Sequence, residues 1–454
     1  MARWSDLPID HDGEERATVE LLRSLIRIDT TNPPGNEREA AELVADELRK
    51  DGIEPELFDT APGRACVVAR LRGDGSAPPL LLTAHLDVVE ADPARWSHPP
   101  FEAQIHDGYV WGRGAIDMKH MAAMSVMVLK LLARTRTPLA RDVVFAGVAD
   151  EEAGCEHGSL WLVREKPDLV RAEYMLGEVG AFSMELLGRT FYPIQVAEKG
   201  FCWIKARVRG EPGHGSVPRP DSAVVRLSEM VARLGHARFA HRATPPMVKF
   251  LDAVSEHLPF PVSRIMPLLA SPYVGPRLLD RALRDPGQRR TLAASFANTA
   301  TPTVVRAGNK TNVIPGEASV EIDGRYLPGE SVESFLAELR AVVGEDAELE
   351  VMRALDPVET TTETPLYAHL ARTIRAHDPQ GIPVPYMIPG FTDAKAFSKL
   401  GTRCYGFAPV RFDPAHQLVF SKLYHGNDER IPVDGLKWGV RVLWDAVDGF
   451  CGKS

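Results

Sequence analysis

The chain has 454 residues, 44% of them hydrophobic and 25% charged, which suits a soluble globular protein of two or three domains. Its formal net charge of −9 argues against a nucleic-acid or membrane-surface role, either of which would want a basic face, but leaves room for a local basic pocket. Five widely spaced cysteines (Cys66, Cys155, Cys202, Cys404 and Cys451) argue against a disulfide framework or a paired-cysteine zinc site and point to a reducing cytoplasm. The opening residues lack the apolar core of a secretory signal, and no stretch reaches the ~18 apolar residues of a membrane span.

Residues 15–28 carry Val19, Leu21, Leu22, Leu25 and Ile26 at helical spacing, and the Thr30–Gly35 loop stops that helix. Asn36 is placed to cap a second helix over 37–51, closed by Asp51 and Gly52. Strands follow near 54–59, 65–71 and 79–85, then a Met- and Leu-rich helix over 119–133 and a buried strand over 142–149. A helix over 157–165 and a short strand near 173–177 come next. Apolar strands alternating with helices predict an α/β layer architecture with a mixed, mostly parallel sheet flanked by helices.

The pattern changes near Ala197. Residues 200–209 alternate between Cys202, Ile204, Ala206, Val208 and a more polar set, as in a strand covered on one face. A helix over 221–234, a Pro- and Arg-rich stretch over 237–300 with room for short helices, a strand over 317–326, a helix over 331–343 and a strand over 346–353 follow. From about 356 the α/β signals return: helix 364–377, strand 383–387, helix 393–399, strand 402–407 and helix 434–448. The expectation is a discontinuous catalytic domain, 1–196 with 354–454, and an inserted α+β sandwich, 197–353.

Acids and histidines gather where strands should end. His85 and Asp87 close an apolar run, and residues two apart on a strand face one side. Asp117 sits in a Gly-rich turn before a helix, Asp150-Glu151-Glu152 ends strand 142–149, Glu178 ends the next strand, and His425 lies in a loop near the end of the chain. Singly, each has an ordinary reading as a helix cap, a solvated acid or a loop histidine. Together they fall at the carboxyl ends of sheet strands, where open α/β folds place their sites. Oxygen donors mixed with imidazole suit Zn²⁺, Mn²⁺ or Co²⁺, and a carboxylate shared by two ions ~3.5–4 Å apart is a two-metal arrangement for hydrolysis.

The segments HLDVV, GRGAIDMK, DEEAG, LGEVG, GHGS, NVIPG and YHGNDER occur in an order that resembles the dinuclear zinc metallopeptidases. That family includes glutamate carboxypeptidase, acetylornithine deacetylase, succinyl-diaminopimelate desuccinylase and the aminoacylases. The resemblance spans nearly the whole chain. It implies two Zn²⁺ per subunit (Co²⁺ or Mn²⁺ in their place), with His85 and Glu178 on one ion, Glu152 and His425 on the other, and Asp117 bridging. It implies that Asp87 orients His85, that Glu151 is the general base, and that the Asp117–Met118 peptide is cis. His214 would stabilise the oxyanion, often from a partner subunit, so the inserted domain is expected to act as a lid or dimerisation domain. Asn312, Arg325 and Thr392 are implied substrate contacts, and Arg suits a carboxylate.

Phe391 departs from the pattern by placing a bulky ring where the family usually has glycine, and Lys395 stands where arginine is common. A narrower, more apolar pocket follows. His120 and His157 read as helix residues, and Met118, Met121, Met124 and Met127 as a core stripe. The implied reaction is metal-dependent cleavage of an amide or peptide bond beside a carboxylate, on a small molecule or short peptide, with no nucleic-acid or membrane partner. The alternative is a non-catalytic metal-binding scaffold; intact Glu151 argues against it.

Overall fold

The computed structural model describes residues 3–282, 286–413 and 423–453. The chain divides into two compact units: Met1–Val196 with Thr360–Tyr386 and Thr392–Ser454, and Ala197–Glu359 with Met387–Phe391.

The first unit is built on a mixed sheet whose strands run in the order Glu56–Ala61, Arg64–Leu71, Val143–Val148, Leu80–His85, Tyr174–Gly177, Arg403–Gly406 and Arg189–Glu198. The central strands are parallel: Leu80–His85 pairs in parallel with Val143–Val148 on one side and Tyr174–Gly177 on the other, and Arg403–Gly406 continues the parallel set. Antiparallel strands lie outside them. The central strands read as unbroken apolar runs because every residue of Leu80–His85 and Val143–Val148 is buried, as in a sheet covered on both faces. The helix Lys119–Thr135 is buried nearly all round, including Met121, Met124 and Met127. A helix that is apolar on every side belongs in a core. All five cysteines are buried free thiols.

Two local expectations fail. Asn36 does not cap the second helix, which runs Arg38–Arg49 with Glu37 at its N-cap and no side-chain cap bond. Glu37 is instead buried and paired with Arg64. The next misplacement concerns His157, which lies ahead of helix Ser159–Glu165 and donates its backbone N–H to Asp150 at 2.9 Å.

The second unit carries a four-stranded antiparallel sheet, ordered Thr299–Ala307, Glu317–Tyr326, Gly200–Arg209 and Glu348–Leu355. Helices Ala223–His236 and Val332–Val343 supply Leu227, Met230, Leu234, Phe335 and Leu339 to a core shared with Cys202, Ile204, Ala206 and Val208. The alternation along 200–209 therefore marks the covered face, with one exception. Phe201 lies on the other face yet is fully buried, against Trp203 and Phe391.

The edge strand Thr299–Ala307 was not legible, because Pro302 interrupts it. Its register shifts between Pro302 and Val304, which is where an edge strand tolerates a proline. The stretch 237–300 holds helices Pro245–Ser255, Val262–Ile265, Gly275–Ala282 and Pro286–Ala294, with residues 283–285 outside the described set. Among the described residues no helix is long and apolar enough to cross a membrane.

Candidate metal centre

Three adjacent parallel strands end on one side of the first unit's sheet. The register pairs His85 with Val148 and Leu82 with Leu176, so the residues just past each strand emerge side by side. Neighbouring strands are ~4.8 Å apart. The ends of three of them bring His85, Glu151, Glu152 and Glu178 within reach of one another, and Asp117 and His425 join from loops.

Asp117 stands between two imidazoles. Its Oδ1 lies 3.1 Å from His85 Nε2 and its Oδ2 lies 3.2 Å from His425 Nε2. His425 Nε2 is also 3.1 Å from Glu152 Oε2, and His85 Nε2 is 3.8 Å from Glu178 Oε2. Two groups, His85–Asp117–Glu152 and His85–Glu151–Glu178, each offer ligand atoms within 4.8 Å of one another. Donors that share one ion at about 2 Å lie about 3–4 Å apart, so these spacings fit.

The electrostatics fit as well. Glu152 Oε1 and Glu178 Oε1 are buried without a hydrogen-bond partner among the described residues. Burial pushes the Glu178 carboxyl up to about 8, and burial with Glu178 nearby pushes Glu151 well above the carboxylate range. Burial would raise Asp117 too, but the imidazoles of His425 and His85 hold it below that range. A cluster of buried carboxylates with orphaned oxygens must hold protons or cations.

The surrounding residues hold this arrangement. The carboxylate of Asp87 accepts from the backbone N–H groups of Glu151 and Glu152, at 3.1 Å each, and from Asn32 at 2.8 Å. His85 Nδ1 lies 3.0 Å from the backbone carbonyl of Asp87 and 3.5 Å from its carboxylate, so the carbonyl is the nearer acceptor. Glu429 is fully buried and accepts from Arg113 (2.9 Å) and from the backbone N–H groups of Gly114 (3.2 Å), Ile116 (2.7 Å) and Asp117 (3.0 Å), which fixes the turn that presents Asp117. The Asp117–Met118 peptide is cis. Arg64 joins Asp150 (2.7 Å) to Glu37 beneath the Glu151–Glu152 loop. Asp393 is buried and accepts from Ser159 at 2.6 Å. Sequence reasoning passed over Glu37, Arg64, Arg113, Asp393 and Glu429. Arg113 and Glu429 stood inside the GRGAID and YHGNDER segments, but nothing in their spacing declared that they pair.

Thr392 is buried and accepts from the Ala394 N–H at 3.1 Å, opening the helix Ala394–Phe397. In the second unit His214 is exposed, with Nδ1 2.7 Å from Ser216 Oγ. Its two-residue strand pairs with Val313–Ile314, and Gly215 donates to the Asn312 carbonyl at 2.9 Å, so the structure does bring His214 and Asn312 together. Arg325 binds Asp323 through Nε (2.8 Å) and Nη2 (3.1 Å). Its guanidinium lies 4.9 Å from the Phe391 ring centre and 5.7 Å from that of Phe201, with Nη1 buried and unpartnered among the described residues.

Mixed-sheet topology with a dinuclear His/Asp/Glu centre at the strand ends defines a metal-dependent hydrolase acting on amide or peptide bonds. The chain belongs to the peptidase family M20/M25/M40, whose model matches residues 81–448. It is 27% identical over 464 residues to the human N-fatty-acyl-amino acid synthase/hydrolase PM20D1, covering 98% of this chain and 90% of that one. It is 26% identical over 429 residues to human aminoacylase-1, covering 92% and 91%. The fold matches that of the M20 family metallo-carboxypeptidase Sso-CP2 from Sulfolobus solfataricus with a TM-score of 0.69 at 16% identity, over 95% of this chain and 98% of that one.

Proposed function

We propose that this hydrolase cleaves N-acyl amino acids whose acyl group is apolar. The observation that carries the reading is Arg325, whose guanidinium sits beside the Phe201 and Phe391 rings with Nη1 unpartnered among the described residues. A planar cation with a spare donor suits a carboxylate, and the rings suit an apolar body attached to it. The names of the relatives, an N-fatty-acyl-amino acid synthase/hydrolase and an aminoacylase, support the same class.

In this reading His85 and Glu178 would hold one divalent cation, Glu152 and His425 would hold the other, and Asp117 would contribute to both. Two such cations would supply Lewis-acid polarisation of the scissile carbonyl and lower the pKa of water. Glu151 takes the proton from the attacking water and delivers it to the leaving nitrogen. Asp87 holds the Glu151–Glu152 backbone in place. Asn312 and Thr392 are assigned to substrate contact, and His214 to oxyanion stabilisation. The exposed His214 ring supports a role completed by closure or by a partner subunit, with two copies paired through the inserted domain. Five free buried thiols support a reducing, cytoplasmic setting.

The test is Glu151→Gln, assayed on long-chain and acetyl N-acyl amino acids together with metal analysis. The expected outcome is a loss of turnover of about 10³-fold with metal content unchanged, and a wild-type preference for the long-chain substrates. Loss of metal with the activity would make Glu151 a ligand. Preference for acetyl or dipeptide substrates would overturn the acyl assignment.

A further inference from the structure

The net negative charge of the chain conceals a basic stretch. Residues 237–300 contain nine Lys and Arg against four Asp and Glu, in a protein of net charge −9. Within it, Val262–Ile265, Met266–Ala270 and Gly275–Ala282 form a short helical layer whose inward contacts rest on Leu258, Leu269 and Leu279. Five of the apolar side chains between these anchors point outward. Phe260 is 82% exposed and Tyr273 79%, and Leu268, Val274 and Ile265 are 48%, 44% and 39% exposed.

Single exposed apolar residues are ordinary, but five within fifteen positions of one segment are not. Arginines flank them. Arg264, Arg277 and Arg281 are exposed and form no ion pair among the described residues; Arg277 donates to the main-chain carbonyl of Tyr273 at 2.6 Å. Asp280, the acid nearest in sequence, is occupied by Arg238 at 3.2 Å and Arg289 at 3.9 Å.

We propose that this layer, from Phe260 to Arg281, docks the protein on an anionic lipid surface. Protruding aromatic and aliphatic side chains enter the acyl boundary while the exposed arginines meet the headgroups. A second copy of the chain is a poorer occupant, since a two-fold contact would set this basic face against itself. The surface stands apart from the proposed substrate, and its test reads no turnover.

The test is flotation of the full-length, metal-loaded protein with phosphatidylcholine vesicles, with and without phosphatidylglycerol. The wild type is expected to float with the anionic vesicles only, and to be released by high salt. The exposed double variant Phe260→Ser with Tyr273→Ser, and the triple variant Arg264→Glu with Arg277→Glu and Arg281→Glu, should each lower partitioning about tenfold or more, with wild-type thermal unfolding. Absence of flotation, or flotation untouched by both variants, overturns the proposal. A dimer in sedimentation that these variants dissolve, without vesicle binding, overturns it in favour of a second copy.

Discussion

Glu429 lies outside the candidate ligand set, yet it controls where Asp117 stands. Burial raises its pKa to about 6 even with Arg113 beside it, and the backbone N–H groups of Ile116 and Asp117 help keep it anionic. Replacing it with glutamine leaves the Arg113 guanidinium buried without its counter-charge and weakens the clamp on the turn. Supporting groups around a metal centre are worth about 10–100-fold in metal affinity, and breaking a buried pair costs about 3–5 kcal/mol. Glu429→Gln is therefore expected to weaken metal binding at least tenfold and to lower the urea midpoint. Metal titration and denaturation of the same variant check both. At this scale the sequence displayed the candidate metal ligands that the structure brings together, because short motifs hold them. It did not display the pairs that position them: Glu37 with Arg64, and Arg113 with Glu429, are 27 and 316 positions apart.

The element that presents Glu151 and Glu152 is the loop after Val143–Val148. Asp150 adopts a positive φ of 66° there, and its carboxylate accepts from Arg64, Asn32 and the His157 N–H. Gly158 closes the loop against the strand it left. A Cβ at that position would collide with the carbonyl of Ala149, a backbone atom that cannot swing aside. Gly158→Ala should thus displace the loop, lowering both turnover and thermal stability. An unchanged melting temperature with unchanged turnover would show that the strand end can yield. Most helices and strands were legible because their apolar periodicity is strong, as in Val143–Val148 and Val433–Cys451. Thr299–Ala307 and Arg189–Glu198 were not, since each contains a proline that speaks against a strand until its place in the sheet is known.

For the whole molecule, stability carries a pH dependence from Lys199. This side chain is fully buried in the second unit, donates to the Ala297 carbonyl at 2.6 Å, and burial lowers its pKa to about 7. The unfolded lysine stays protonated to about 10.4. Between these values the unfolded chain binds the extra proton, so this residue makes stability rise with pH, by at most about 1.4 kcal/mol per pH unit. Below pH 7 the contribution is flat. The difference in unfolding free energy between the wild type and Lys199→Met should therefore grow in the wild type's favour from pH 7 to pH 10. A constant difference across that range would mean that Lys199 is charged in the folded protein.

By itself the sequence determined the alternation of strands and helices, the covered face of strand 200–209, and the set of acids and histidines that mark a metal-dependent hydrolase. These are local properties: periodicity is set by backbone geometry, and ligand type by side-chain chemistry. Only the tertiary structure decided the strand order that sets His85 between the loops carrying Glu151 and Glu178, the buried ion pairs beneath them, and the stacking of Phe391 on Phe201 beside Arg325. It also decided that Phe260 and Tyr273 face outward. Each of these depends on which distant segments share a space, and burial and pairing energies exist only once they do.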